Sequence, residues 1–169
     1  FYTTGYKVMT TLNLGSKFNT GKVTDMSYMF AYTGVTALKS LDLKSEFDTN
    51  NVTDMNSMFA YTGVNCMTAL NLGGKFNTSK VTNMQSMFLG IGMSQLTSLD
   101  LGENFDTGNV TNMDTMFYAC GRDSMETLKL GYKFNTKNVT NMNEMFVACG
   151  KKKMKSLDLG DLFYTTNVT

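Results

Sequence analysis

One distance restricts this chain more than any other feature: a step of 29 residues that never changes. Phe18, Phe47, Phe76, Phe105, Phe134 and Phe163 follow one another at that step. So do the leucine pairs Leu12/Leu14, Leu41/Leu43, Leu70/Leu72, Leu99/Leu101, Leu128/Leu130 and Leu157/Leu159, and the glycines Gly5, Gly34, Gly63, Gly92, Gly121 and Gly150. A period held over a whole chain marks a stacked array, in which no unit can bury its apolar side alone. Residues 1–169 are therefore expected to form a single repeat domain with six strand motifs and five complete copies of a second motif, as in "VTDMSYMF". The sequence starts and stops in mid-repeat, so a fragment of a longer array is expected.

Within a repeat, two periodicities alternate. In "LTSLDLG" (Leu96 to Gly102), Leu99 and Leu101 alternate with Ser98 and Asp100. A period of two marks a strand with one buried face. Glycine follows in five of six repeats, Lys44 being the exception, and glycine ends strands in turns. The Phe105 column then opens a loop rich in Asn, Asp and Thr, which hydrogen-bond locally in turns. In "VTDMSYMF", Met26, Met29 and Phe30 stand at i, i+3 and i+4. That spacing predicts a short helix with one apolar face, Thr24 as its N-cap and Asp25 in its first turn. One or two helical turns are too short to persist alone, so the predicted helix must pack beneath a strand.

Composition narrows the chemistry. Ten of the 15 methionines lie in the second motif, and Met9, Met67, Met125 and Met154 open the strand motif. A flexible thioether fills irregular gaps, whereas a soft-metal site needs ligands converging on one point. The spacing spreads these methionines along a core stripe, so neither metal nor cofactor is expected. Histidine is absent, which removes the commonest general base. The acidic columns exchange Asp for Asn freely, as solvation permits and acid–base catalysis does not. A non-enzymatic protein is expected. A net charge of +1 gives no reason to expect nucleic acid. No apolar run approaches the roughly 18 residues of a membrane span. Cys120 and Cys149 share one column, with Thr33, Thr62 and Ile91 as equivalents, while Cys66 belongs to another. Buried thiols and a Cys120–Cys149 disulfide are both compatible with that spacing.

The strand motif, as in "METLKL", resembles the Leu-x-x-Leu-x-Leu core of leucine-rich repeats. The second motif, Phe-[Asn/Asp]-Thr-x-x-Val-Thr-[Asn/Asp]-Met-x-x-Met-Phe, resembles the BspA-like leucine-rich surface proteins of bacteria, whose relatives include repeat-bearing mycoplasma surface lipoproteins. The resemblance covers the whole chain. It implies an α/β solenoid: a right-handed coil with a parallel sheet on the concave face and short helices on the convex face. It also implies extracellular display at the cell surface and adhesion to host or neighbouring-cell proteins or glycans. One column departs from the pattern. Where common leucine-rich repeats carry an asparagine ladder, this chain has Lys17, Glu46, Lys75, Asn104, Lys133 and Leu162. The turn is expected to be satisfied by Asn19, Asp48, Asn77, Asp106 and Asn135 instead.

On such a coil, Asn13, Asp42, Asn71, Asp100, Lys129 and Asp158 form a polar column on the concave face. They are the candidate ligand-binding residues, and no two aspartates are neighbours among them, which spaces like charges along a stack. Lys151, Lys152, Lys153 and Lys155 make a local basic run, a candidate patch for an acidic glycan or partner. Asn51, Asn77, Asn109, Asn138 and Asn167 each begin an Asn-x-Ser/Thr triplet, explained equally by turn architecture. Surface binding is the leading expectation. A structural spacer, or a subunit associating head to tail in a filament or surface layer, is the alternative.

Overall fold

The computed structural model describes residues 1–169. It contains no helix, and its strands are β1 (Ser40–Asp42), β2 (Ala69–Asn71), β3 (Ser98–Asp100) and β4 (Thr127–Lys129). β1 pairs in parallel with β2, and β3 with β4, as two separate two-stranded sheets. Register follows the repeat, with Leu41 opposite Leu70 and Leu99 opposite Leu128. The expected α/β solenoid, with a continuous sheet on one face and helices on the other, is therefore not what the chain forms.

The backbone of the "VTDMSYMF" segment explains why. The N–H groups of Met26, Tyr28, Phe30 and Tyr32 donate to the carbonyls of Asp54, Asn56, Met58 and Ala60 in the next repeat, at 2.8–3.0 Å. Those of Met29, Ala31 and Thr33 close tight turns onto Met26, Tyr28 and Phe30. Alternate amides thus point out of the segment and into its neighbour. A helix of the same length would leave its terminal amides and carbonyls without partners, whereas this ribbon of turns satisfies them by stacking. It requires positive φ at Tyr28, Ser57, Ser86, Thr115 and Glu144, a conformation costing an L-residue about 1–2 kcal/mol. The ladder of inter-repeat bonds offsets that strain. Only 4 of 84 backbone hydrogen bonds lie within strands, so turns and layer-to-layer bonds hold this fold together.

Burial follows the apolar columns despite the changed backbone. Met55, Met58 and Phe59, Met84, Met87 and Phe88, and Met113, Met116 and Phe117 are all fully buried, and Met55 and Met84 share one core. Phe30, Phe59, Phe88, Phe117 and Phe146 stack ring over ring at 5.4–5.6 Å, nearly parallel.

Threonine, one residue beyond the column expected to do so, replaces the asparagine ladder. Buried Thr20, Thr49, Thr78, Thr107 and Thr136 donate through Oγ1 to the carbonyls of Asp48, Asn77, Asp106, Asn135 and Tyr164 in the next layer. Asn19, Asp48, Asn77, Asp106 and Asn135 instead each accept the N–H two residues on. Thr24 is not an N-cap: its carbonyl accepts both the N–H and the hydroxyl of Thr53. Of the asparagines in the Asn-x-Ser/Thr triplets, Asn51, Asn109, Asn138 and Asn167 donate Nδ2 to a carbonyl of the preceding layer. No buried side-chain polar atom is left without a partner.

Candidate functional site

The corner after each strand is where the layers differ. The Asn or Asp between the two leucines of a repeat accepts the N–H two residues on: Asn13 from Gly15, Asp42 from Lys44, Asn71 from Gly73, Asp100 from Gly102, and Asp158 from Gly160. The donor residue takes positive φ each time, 66° for Lys44 and 80° for Gly73, which explains why glycine dominates that column. The polar column read as a ligand face therefore has a structural task of its own in five of six repeats. Lys129 cannot perform it.

At this corner the layers approach in pairs. A Cβ built on Gly73 would lie 2.2 Å from the Lys44 carbonyl oxygen, and one on Gly131 would lie 2.9 Å from that of Gly102. A Cβ on Gly102 would meet nothing within 4 Å. The layers of β1 and β2 are thus tight, those of β3 and β4 are tight, and the junction between β2 and β3 is open. A cleft of about 790 Å³ spans that junction and reaches the layers of β1 and β4 on either side. Asp42, Asn71, Asp100 and Lys129 line it, beside Lys44, Glu103 and Tyr132. Glycines Gly73, Gly74, Gly102 and Gly131 form much of the wall and leave backbone open to a ligand. Leu70 is only half-buried here, unlike Leu41 and Leu99.

Three carboxylates, Asp42, Asp100 and Glu103, face two lysines, Lys44 and Lys129, in the cleft. Lys44 pairs with Asp42, and Lys129 reaches Asp100 at 3.4 Å with both side chains well exposed. The Lys44 ammonium beside Asp42 holds its carboxyl below the usual carboxylate range, with help from the Lys44 N–H. Asp25, hydrogen-bonded by Ser27, Glu46, beside Lys75, and Asp123, beside Arg122 and Lys152, are lowered likewise. Each depressed pKa contributes stability above the unfolded value that is lost as pH falls through the folded one. These groups are solvent-screened, so each effect is small. With no histidine to titrate, the thermal midpoint should hold steady down to about pH 5 and fall only below about pH 4. A pH series of melting curves checks this; a midpoint already falling at pH 6 would contradict it.

The structure gathers four of the six column residues into one cleft. Lys129 and Asp158 also border a smaller hollow of about 310 Å³ beyond β4, and Asn13 lines neither. Lys152, Lys153 and Lys155 border a separate shallow depression with Glu126 and Thr127, while Lys151 stands exposed beside it. Lys152 is tied to Asp123 at 3.0 Å, so the basic run is partly neutralised. Sequence reasoning missed Lys44, Glu103 and Tyr132. Two signals were present: Lys44 breaks the glycine column, and Gly73–Gly74 is the one doubled glycine at this corner. Tyr132, 69% exposed, is the only aromatic in its column.

A family described as Mycoplasma protein of unknown function, DUF285, matches residues 6–88 and 35–158. The two overlapping matches together span most of the chain. The chain belongs to this family. DUF285 membership fits a repeat of this kind and assigns no activity. Neither curated proteins nor solved structures give a match. No helix of the structure is long and apolar enough to cross a membrane.

Proposed function

We propose that this DUF285 chain is a binding array displayed at the cell surface, and that it recognises polar ligands, host or neighbouring-cell proteins or glycans, through the cleft between β2 and β3. The observation that carries this reading is the cleft itself: an opening of about 790 Å³ where the layers part, built on Asp42, Asn71, Asp100 and Lys129. Its polar atoms are of the kind that exchange water for ligand hydroxyls and amides. Glycine walls add backbone groups, and Tyr132 supplies an amphipathic ring of a type favoured in recognition. The resemblance of the repeated motif to BspA-like surface proteins supports the adhesive role and the extracellular location. Weak contacts repeated along an array gain strength through multivalency.

A specific observation also favours self-association. The amides of Met142, Glu144, Phe146 and Ala148 have no acceptor at one edge of the ladder, and the carbonyls of Asp25, Ser27 and Met29 have no donor at the other. A further repeat or a second copy would meet the same complementary groups.

The test exploits the corner chemistry. Asp42→Asn and Asp100→Asn keep the acceptor of the turn, as Asn13 and Asn71 already do, and remove only charge. The wild-type chain should bind on a glycan array or on surfaces coated with purified extracellular-matrix proteins, and the double variant should bind at least about tenfold more weakly. Retention on none of these surfaces, or undiminished binding by the double variant, would reject the cleft. Light scattering on the same samples separates the readings: rods that lengthen in whole-chain steps support self-association, and a monomer at high concentration removes it.

A further inference from the structure

Beyond the cleft, one pair of reactive side chains has no part in binding. Cys120 and Cys149 occupy the same column on successive layers and are both free thiols. Side chains of this column reach the adjoining layer: the Oγ1 of Thr62, an equivalent position, donates to the Phe30 carbonyl at 2.7 Å. The two layers are closely held at this point, since the N–H of Gly150 bonds the Cys120 carbonyl at 3.1 Å. Three residues upstream, Phe117 and Phe146 stack at 5.4 Å. Backbones bonded side by side like parallel strands lie about 4.7–4.9 Å apart, within the roughly 4.4–6.8 Å between Cα atoms that a disulfide spans.

We infer that Cys120 and Cys149 form an oxidant-responsive modification site, in which a peroxide converts the thiol pair into a disulfide joining two layers. The partners are unequal in a useful way. Cys120 is fully buried, while Cys149 is partly exposed. Hydrogen-bond stabilisation by the Cys120 S–H lowers the pKa of Cys149 against the opposing effect of burial, and the same pairing with burial pushes Cys120 well up. Thiolate character and access together choose the sulfur that reacts first.

The step balances with hydrogen peroxide as oxidant. The Cys149 thiolate attacks one peroxide oxygen, the O–O bond breaks, and hydroxide leaves, giving a sulfenic acid. Cys120 then attacks the Cys149 sulfur, its proton leaves with the hydroxyl as water, and the S–S bond forms. Two thiols lose two electrons, and peroxide is reduced to water. The link closes the last strand motif onto its neighbour beside Lys151, Lys152 and Lys153, so oxidation also stiffens the basic loop.

The whole chain, reduced and then treated with a slight excess of hydrogen peroxide, tests this. Peptide mapping without reductant should join the Cys120 and Cys149 peptides within one chain, about 2 Da lighter than their sum. The thermal midpoint should rise by roughly 5–15 °C and return on reduction. In Cys120→Ser, Cys149 should stop at sulfenic acid and take up a 1,3-diketone trap. Linkage through Cys66, a dimer between chains, sulfinic acid on Cys149 in the wild type, or no reaction would each overturn the assignment.

Discussion

Phe88→Ala should lower the unfolding free energy by about 3–5 kcal/mol, the usual range for emptying a buried phenylalanine site. That is a large part of the roughly 5–15 kcal/mol available to a domain. Phe88 has no exposure and lies between Phe59 at 5.5 Å and Phe117 at 5.4 Å, so its loss interrupts the ring column in the middle of the stack. The backbone above and below is fixed in place by bonds from the Phe88 N–H to the Met116 carbonyl and from the Phe59 N–H to the Met87 carbonyl, which limits how far the neighbours can shift into the void. Arrays draw stability from nearest-neighbour contacts, so the damage should also uncouple the layers on either side. Denaturant titration should show a lower midpoint and two transitions in place of one. Tyr132→Ala, at an aromatic that is 69% exposed, should stay within about 0.5 kcal/mol of wild type. A Phe88→Ala loss below about 1 kcal/mol would mean that the ring column is not where the stability resides.

That prediction rests on the part of the structure most legible in the sequence. The 29-residue step identifies which residues are equivalent, and apolar columns at fixed spacing identify which of them face inward. Met84, Met87 and Phe88 are buried as their spacing implies. The same spacing misleads about the backbone. Positions i, i+3 and i+4 specify a side of the segment, and a ribbon of alternating turns presents that side as well as a helix does. What separates the two is where the amides go. Amides bonded to the next repeat leave no trace in side-chain periodicity, because the backbone of every residue except proline offers the same donor. Nor do the positive-φ positions announce themselves: they are occupied by Tyr28, Ser57, Ser86, Thr115 and Glu144, and none is a residue that favours that region.

The threonine ladder was in plain view as the third letter of each "FNT" and "FDT". Its columns gave no sign of whether Asn or Thr would cross between layers, since both hydrogen-bond locally in turns. Burial decides: Thr49 and Thr78 are inside, and a short hydroxyl can give its proton to the next layer while accepting an amide from it, as Thr49 does with Asn77. The cleft was legible in composition and hidden in position. Asp42, Asn71, Asp100 and Lys129 stood out as a column, but a column predicts an even surface. The gap between β2 and β3 accompanies unequal layer approach, which is tightest at one glycine, Gly73.

Gly73→Ala is the substitution that acts on that glycine. Alanine there must adopt a φ of 80° and also place its methyl 2.2 Å from the Lys44 carbonyl oxygen. The first requirement alone costs about 1 kcal/mol. The second cannot be met by a side-chain rotation, because the obstacle is backbone, so the corner joining β1 to β2 must shift. The expected loss is about 3 kcal/mol or more, in the range of strain at a position that excludes a side chain. Gly102→Ala provides the matched control: its φ is 79°, yet its Cβ would meet nothing within 4 Å. It should lose only the conformational share, about 1 kcal/mol. Lys44 shows that the same column carries a side chain at a φ of 66° where the site has room for it. The comparison therefore isolates close approach from backbone preference, with unfolding free energies of the two variants as the readout. If β1 and β2 are pushed apart in Gly73→Ala, the junction on the other side of β2 should narrow, and ligand binding in the cleft should weaken with it. Equal losses for the two alanine variants would show that the paired approach of layers does not shape the cleft, and the binding proposal would lose its structural basis.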